Sequence, residues 1–177
     1  MKDKRVELII NAVDINLKHH IFDTCCDSGL IGISLIKHKK DLENFPINLT
    51  FIDHSIFGIS ELKKNLHKLN HQDYLHQNFP HLKIQVEAQD VKKFIFPTQI
   101  PSAIIIAGVG GYLIIEILKE NLSLSPNHQM LLMAHSHLEA LKSYLSKDSL
   151  NKYIIQSEYE TTYNQKSYSL LVVNLTY

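Results

Sequence analysis

The chain has one arginine, Arg5, and only two cysteines, Cys25 and Cys26, which are adjacent. A single arginine cannot build a set of bidentate phosphate clamps. Neighbouring cysteines in extended backbone point to opposite faces and pair badly, so a disulfide scaffold is excluded. No CxxC pair is present to form a metal knuckle. Apolar runs of membrane-spanning length are missing too, so no transmembrane helix is expected. The N-terminal stretch MKDKRVELIINAVDI is charged and amphipathic. It lacks the continuous apolar segment and small-residue cleavage site of a secretory signal, and a cytoplasmic protein is expected. There is no excess of either charge: 18 Lys+Arg face 18 Asp+Glu. Neutrality supplies no long-range attraction to nucleic acid or to an anionic membrane.

What is present suffices for a core. The 177 residues are 45% hydrophobic, which excludes general disorder. No repeat, low-complexity tract or Gly/Ser linker interrupts them, so a single domain over residues 1–177 is expected. Val6, Ile9, Ile10, Val13 and Leu17 recur near the helical period and predict a helix over 3–17. Further helices are expected at 29–39, 57–70, 112–122 and 136–146. Strands are expected at 19–26, 48–53, 82–88, 102–108 and 129–134. The run Ile104, Ile105, Ile106 suits a strand buried on both faces. Two closing strands, 153–160 and 167–176, are joined by the polar TTYNQK and predict an antiparallel pair.

Alternating strands and helices imply an α/β fold. We expect a Rossmann-like, mostly parallel seven-stranded sheet with a C-terminal antiparallel hairpin and helices on both faces. Ligands in such folds sit at the carboxyl ends of the strands, near the switch in strand order. The strand ends here read Asp23-Thr24-Cys25-Cys26-Asp27-Ser28-Gly29, Asp53-His54, Ala88-Gln89-Asp90 and Ala107-Gly108-Val109-Gly110-Gly111. Acids close the first three and glycines the fourth, a pattern suited to a ligand with a ribose, an adenine and a cationic amino-acid arm. Asp53 can accept hydrogen bonds from ribose hydroxyls, or stand as a solvated strand-end acid or helix cap. Asp90 can accept from the adenine amine, or cap the short VKKF segment. Asp23 and Asp27 suit the ammonium and sulfonium charges of S-adenosylmethionine, and Asp27 also reads as a helix cap. Dinucleotide and nucleoside triphosphate loops are disfavoured: GxGxxG fails at Leu113, GxxxxGK[ST] is missing, and an acidic first turn repels pyrophosphate.

These motifs resemble the bacterial tRNA adenine-N1 methyltransferases that act at position 22, a class I S-adenosylmethionine-dependent family. The likeness runs in order along the chain: IFDTCCDSGLIG for the first motif, Asp53 with LKKN (62–65) for the second, and Gln89-Asp90-Val91 for the third. IAGVGGYLIIEIL (106–118) is the fourth, followed by LSPN (124–127) and the closing segment Lys166–Val173. Asp3-Lys4-Arg5-Val6 echoes the family's N-terminal motif. There are departures: Cys25 replaces the first-motif glycine, Ser28 a histidine, Leu30 a tyrosine and Val109 a methionine. Family members continue into a helical C-terminal domain that helps hold tRNA, and the likeness ends before it.

The resemblance implies methyl transfer from S-adenosyl-L-methionine to adenine N1 in tRNA. It assigns Asp27, Gly108 and Gly110 to the catalytic centre. It gives Asp23, Cys25, Ser28, Gly29, Asp53, His54, Gln89, Asp90, Ala107 and Gly108 to the cofactor, and Arg5, Val109 and Gly111 to the substrate. Other readings are a degenerate methyltransferase-fold protein that binds cofactor or a partner without methylating tRNA, and an enzyme acting on a small molecule or protein. A monomer without metal is expected. His67 and His71 are four residues apart but lack a third ligand. His135 and His137 follow the fifth strand and can face the pocket mouth, and Tyr159, Tyr163 and Tyr168 can stack on bases, but the preferred reading is surface or packing residues. Cys25 reads as inert, because nearby acids raise a thiol pKa.

Overall fold

The computed structural model describes residues 3–14, 19–38, 46–121, 123–147 and 152–176. Seven strands form one sheet: β1 (His20–Thr24), β2 (Asn48–Asp53), β3 (Lys83–Ala88), β4 (Ser102–Val109), β5 (His128–Ala134), β6 (Tyr153–Tyr163) and β7 (Lys166–Leu175). Their order is β3-β2-β1-β4-β5-β7-β6. The first five are parallel, and β7 runs antiparallel between β5 and β6. The fold class is therefore the one expected. The turn between β6 and β7 was legible in TTYNQK. The insertion of β7 beside β5 was not, because strand order depends on which face of a neighbour is free.

Burial explains the strand sequences. Ser102 through Ala107 of β4 are all buried, as a central parallel strand with helices on both sides requires. Edge strands β3 and β6 instead alternate between more and less exposed residues. One face of the sheet is covered by α1 (Lys4–Ala12), α2 (Leu30–His38) and α3 (Ile56–Leu69), through Ile9, Ile33, Ile36 and Leu62. The other is covered by α5 (Gly111–Glu120) and α6 (Leu138–Lys147), through Ile114, Ile117, Leu118, Leu141 and Leu145.

Helix ends differ from the expected ones in detail. The first helix stops at Ala12, and the remainder of the expected 3–17 span falls partly on residues outside the described ones. Asp3 caps α1 by accepting the Arg5 N–H, and Ser55 caps α3 by accepting the Gly58 N–H. The polar stretch after α3, expected as loop, contains a 3-10 turn over His71–Asp73 and the short helix α4 (Tyr74–Asn78). No helix among the described residues is long and apolar enough to cross a membrane.

Strand order reverses between β1 and β4, which are paired with Asp23 opposite Ile105. The crevice outside their carboxyl ends is where such sheets hold ligands.

Candidate functional site

The turn after β1 is pinned to both neighbouring strands. Thr24 Oγ1 donates to the Ile105 carbonyl at 2.7 Å, and the Cys26 N–H donates to the Ile52 carbonyl at 3.3 Å. Cys25, between these anchors, and Asp27, just after the second, adopt left-handed backbone, with φ of 53° and 47°. Non-glycine residues adopt this conformation at a cost of roughly 1 kcal/mol or more. A glycine at position 25 would bear no such cost, which is the physical meaning of the cysteine that interrupts the first motif.

The Asp53 carboxylate is held by backbone. Its Oδ2 accepts the Asp27 N–H and its Oδ1 the Ser55 N–H, both at 2.8 Å. Each oxygen keeps a further lone-pair direction for a hydroxyl. His54 Nδ1 lies 3.8 Å from Oδ1, with its own ring largely exposed. Asp90 Oδ1 accepts the Lys92 N–H at 3.0 Å, so this acid caps a short 3-10 turn, Val91–Lys93, while still facing the crevice.

A cavity of about 610 Å³ opens above these residues. Asp27, Asp53 and Asp90 supply its charge, and Val91, Val109, Leu113 and Ile117 supply an apolar wall. Lys92 is the one lysine on its lining, and that ammonium lies 3.8 Å from Glu116 and 3.7 Å from Glu120 on α5. The cavity is thus net acidic. It fits a ligand carrying positive charge, hydroxyls and a flat apolar ring, and it repels a pyrophosphate.

A second cavity of about 250 Å³ lies on the α1 side, against Arg5, Ser28, Ala107, Met133, His135 and Tyr168. The two cavities share Cys25, Asp27 and Gly108. Gly108 has φ of 77° and forms a bulge where β4 shifts register against β5. A Cβ built there would meet no protein atom within 4 Å, only open cavity. Arg5 is engaged by Asp3, with Nε to Oδ1 at 3.0 Å and Nη2 to Oδ2 at 2.6 Å. Its guanidinium lies over Tyr163 and Tyr168, 4.7 and 5.1 Å from the ring centroids. The Asp3 hydrogen bonds raise the Arg5 pKa further.

Cys25, Asp27, Ser28, Asp53, His54, Asp90, Ala107, Gly108, Val109 and Arg5 thus converge on the two cavities. Asp23, Gly29, Gln89, Gly110 and Gly111 are not on either lining. Asp23 is 1% exposed and lies beneath the turn, where its Oδ2 accepts the Gly32 N–H at 2.8 Å. Burial, opposed by that hydrogen bond and reinforced by the charge of Asp53, pushes its pKa up to about 7. Asp23 therefore does for α2 what Asp27 was expected to do as a cap. Gly111 donates its N–H to the Ser136 carbonyl at 2.8 Å, and a Cβ there would collide with the His137 carbonyl. Its need for glycine comes from that close approach.

Sequence reading missed Leu113, Ile117, Met133 and Ser55, and it set His135 and Tyr168 aside as surface or packing residues, whereas both line the second cavity. Leu113 and Ile117 are spaced four apart in the helix following the glycines, a legible signal for one wall. Met133 and His135 lie at the end of the fifth strand, where a strand-end search finds them. Nothing in the sequence placed Tyr168 beside Arg5.

Among the described residues no group of three or more metal-ligating side chains is present. No curated protein matches the sequence. The fold is shared with solved structures at low identity. Streptococcus pneumoniae Sp1610 in complex with S-adenosyl-L-methionine is 23% identical, with a TM-score of 0.73 over 99% of this chain and 73% of that one. The B. subtilis tRNA m1A22 methyltransferase TrmK is 20% identical, with a TM-score of 0.73 over 99% and 67%. The magnesium protoporphyrin IX methyltransferase ChlM from Synechocystis, with bound SAM, is 16% identical, with a TM-score of 0.67 over 98% and 77%. A family model described as "Methyltransferase domain" matches residues 2–171, and the chain belongs to that family.

Proposed function

We propose that the chain binds S-adenosyl-L-methionine in the acidic cavity and transfers its methyl group to N1 of an adenine in tRNA. The observation that carries the reading is the meeting of two cavities at Cys25, Asp27 and Gly108. One is acidic and suits an adenosyl sulfonium. The other is small, below the roughly 300–1,000 Å³ of ordinary drug-sized pockets, and takes a single base rather than a macrocycle. When bound, the cofactor supplies a methyl group activated on a cationic sulfur. Asp53 accepts the ribose hydroxyls, Asp90 the adenine amine, and Leu113 and Ile117 cover the ring. The Gly108 bulge leaves open space where the two cavities meet, which a transferred methyl group would need. Asp27 and the backbone of 107–109 orient the acceptor base.

The acceptor nitrogen already carries a lone pair, so no general base is required. Methyl transfer to it would leave the sulfonium's positive charge on the alkylated ring, with no proton to be removed first. Catalysis then rests on in-line positioning and exclusion of water. A base in a structured RNA must be unpaired or flipped to reach the cavity.

Replacing Asp53 with alanine removes the ribose acceptor. S-adenosyl-L-methionine affinity, measured by calorimetry, is expected to fall at least about tenfold, the loss of a charge-assisted hydrogen bond pair. Unchanged affinity overturns the cofactor assignment. The acceptor is tested by incubating the chain with labelled cofactor and unmodified tRNA transcript, then digesting and separating the nucleosides. Label in 1-methyladenosine is expected, and label confined to protein or to added small molecules refutes the RNA reading.

A further inference from the structure

A third cavity, of about 580 Å³, lies on the α1–α3 side of the sheet between α2, α3 and α4. Its character is opposite to that of the cofactor cavity. Lys37, Lys68 and His71 line it, together with Asn65 and Tyr74, and no carboxylate is on its lining. The surrounding segments are basic as well. Residues 30–38 and 56–78 hold four lysines (Lys37, Lys63, Lys64, Lys68) and four histidines against two acids, Glu61 and Asp73. Glu61 is already engaged by Lys64 at 2.6 Å. Among the described residues neither Lys37 nor Lys68 forms a salt bridge. A chain of zero net charge therefore carries a groove whose lining holds two lysines and a histidine and no carboxylate.

The groove is joined to the acceptor cavity. Ser28 and Leu30 line both. Asn65, on the groove wall, donates to the Ser28 carbonyl at 3.1 Å, so α3 is tied directly to the turn that carries Asp27. Tyr74 is 39% exposed and packs edge-on against buried Phe79, with centroids 6.1 Å apart. Its ring is supported from behind and offers an aromatic face at the groove.

We infer that this groove is the track for the phosphodiester backbone of the RNA strand whose base enters the acceptor cavity, with Lys37 and Lys68 contacting phosphates and Tyr74 stacking on a neighbouring base. The inference rests on the proposed RNA acceptor and adds to it a site and a direction of approach. Phosphates seek isolated ammonium groups, and bases are held on single-stranded tracks by aromatic faces. An acidic peptide would use the lysines but not Tyr74. The opening toward Ser28 is what a polymer needs when one unit is inserted and its neighbours remain outside.

The test compares the full chain with Lys37→Glu/Lys68→Glu, with Tyr74→Ala, and with a control pair of equal charge change on the opposite sheet face, Lys119→Glu/Lys147→Glu. Affinity is read by fluorescence anisotropy with labelled tRNA transcript and with labelled oligoadenylate over a range of salt, and cofactor affinity is read by calorimetry. The groove pair is expected to weaken RNA binding by about tenfold or more at low salt. It should also flatten the log–log salt slope by about 1.4, for two lost single-strand phosphate contacts. Tyr74→Ala should weaken binding by about fivefold or more without changing the salt slope. Cofactor affinity should be unchanged in all variants, which also shows that they fold. Equal losses in the groove pair and the control pair overturn the inference, because only net charge would then matter. If the unmodified chain methylates RNA and the groove pair binds RNA normally, the groove assignment fails alone. If the unmodified chain binds cofactor but neither binds nor methylates RNA, the RNA acceptor fails and the groove assignment with it.

Discussion

Cys25 is the residue at which local backbone cost and site chemistry meet. Its φ of 53° is a conformation that glycine adopts freely and a side chain does not. Its thiol lines both cavities. Burial, with the charges of Asp53, Asp23 and Asp90, pushes the thiol pKa up to about 12, so it is neutral and poorly nucleophilic at physiological pH. Cys25→Gly removes the left-handed cost and loses only a small half-buried side chain. Stability to urea is expected to rise by about 1 kcal/mol, and cofactor affinity to rise with the space released. A loss of stability would show that the thiol packs well enough to outweigh its backbone. The cysteine sits in a turn that demands positive φ at that position.

At the scale of the element, the carboxyl end of β4 organises the site. The strand runs fully buried to Ala107, then Gly108 bulges out with φ of 77° and exposes its backbone to both cavities. Gly108→Ala adds a Cβ that meets no protein atom, so the fold is expected to survive with a loss of about 1–2 kcal/mol from strain. The new methyl would project into ligand space, and cofactor affinity should fall about tenfold or more while the melting temperature drops only a few degrees. A variant that binds cofactor normally would place the ligand away from β4. Strand ends were legible because parallel buried strands announce themselves by β-branched runs and the punctuation after them. The 3-10 turn at His71–Asp73 and the helix α4 were not legible. Their sequence, HQDYLHQN, lacks an apolar stripe and has no buried residue in α4, so no periodic signal exists to read. The groove that we assign to RNA depends on that unread segment for His71 and Tyr74.

On the scale of the whole molecule, composition concealed what folding separates. Equal numbers of acids and bases argued against polyanion binding, yet the fold gathers three aspartates around one cavity and leaves a carboxylate-free groove on the neighbouring helices. Charge totals average over faces, and only the topology says which residues share one. Asp23 shows the same limit in the stability of the fold. Its strand-end position suggested a ligand contact, but it is sealed under the turn as the acceptor for the Gly32 N–H. A carboxyl with its pKa raised from 3.8 to about 7 makes a definite pH dependence. Below about pH 4 it is protonated in both folded and unfolded chains, and its contribution to stability is complete. As pH rises toward 7 the unfolded chain releases the proton while the folded chain retains it, so stability is lost progressively until the folded carboxyl also ionises. About three pKa units correspond to at most about 4 kcal/mol. Asp23→Asn keeps an oxygen for the Gly32 N–H and abolishes the titration. Urea unfolding of both proteins from pH 4 to pH 8 should show the asparagine variant gaining on the parent by about 2–4 kcal/mol across that interval, most steeply between pH 5 and 7. A difference that stays flat with pH would mean that the carboxyl at position 23 ionises in the folded protein as readily as in the unfolded chain, and would overturn the argument from its burial.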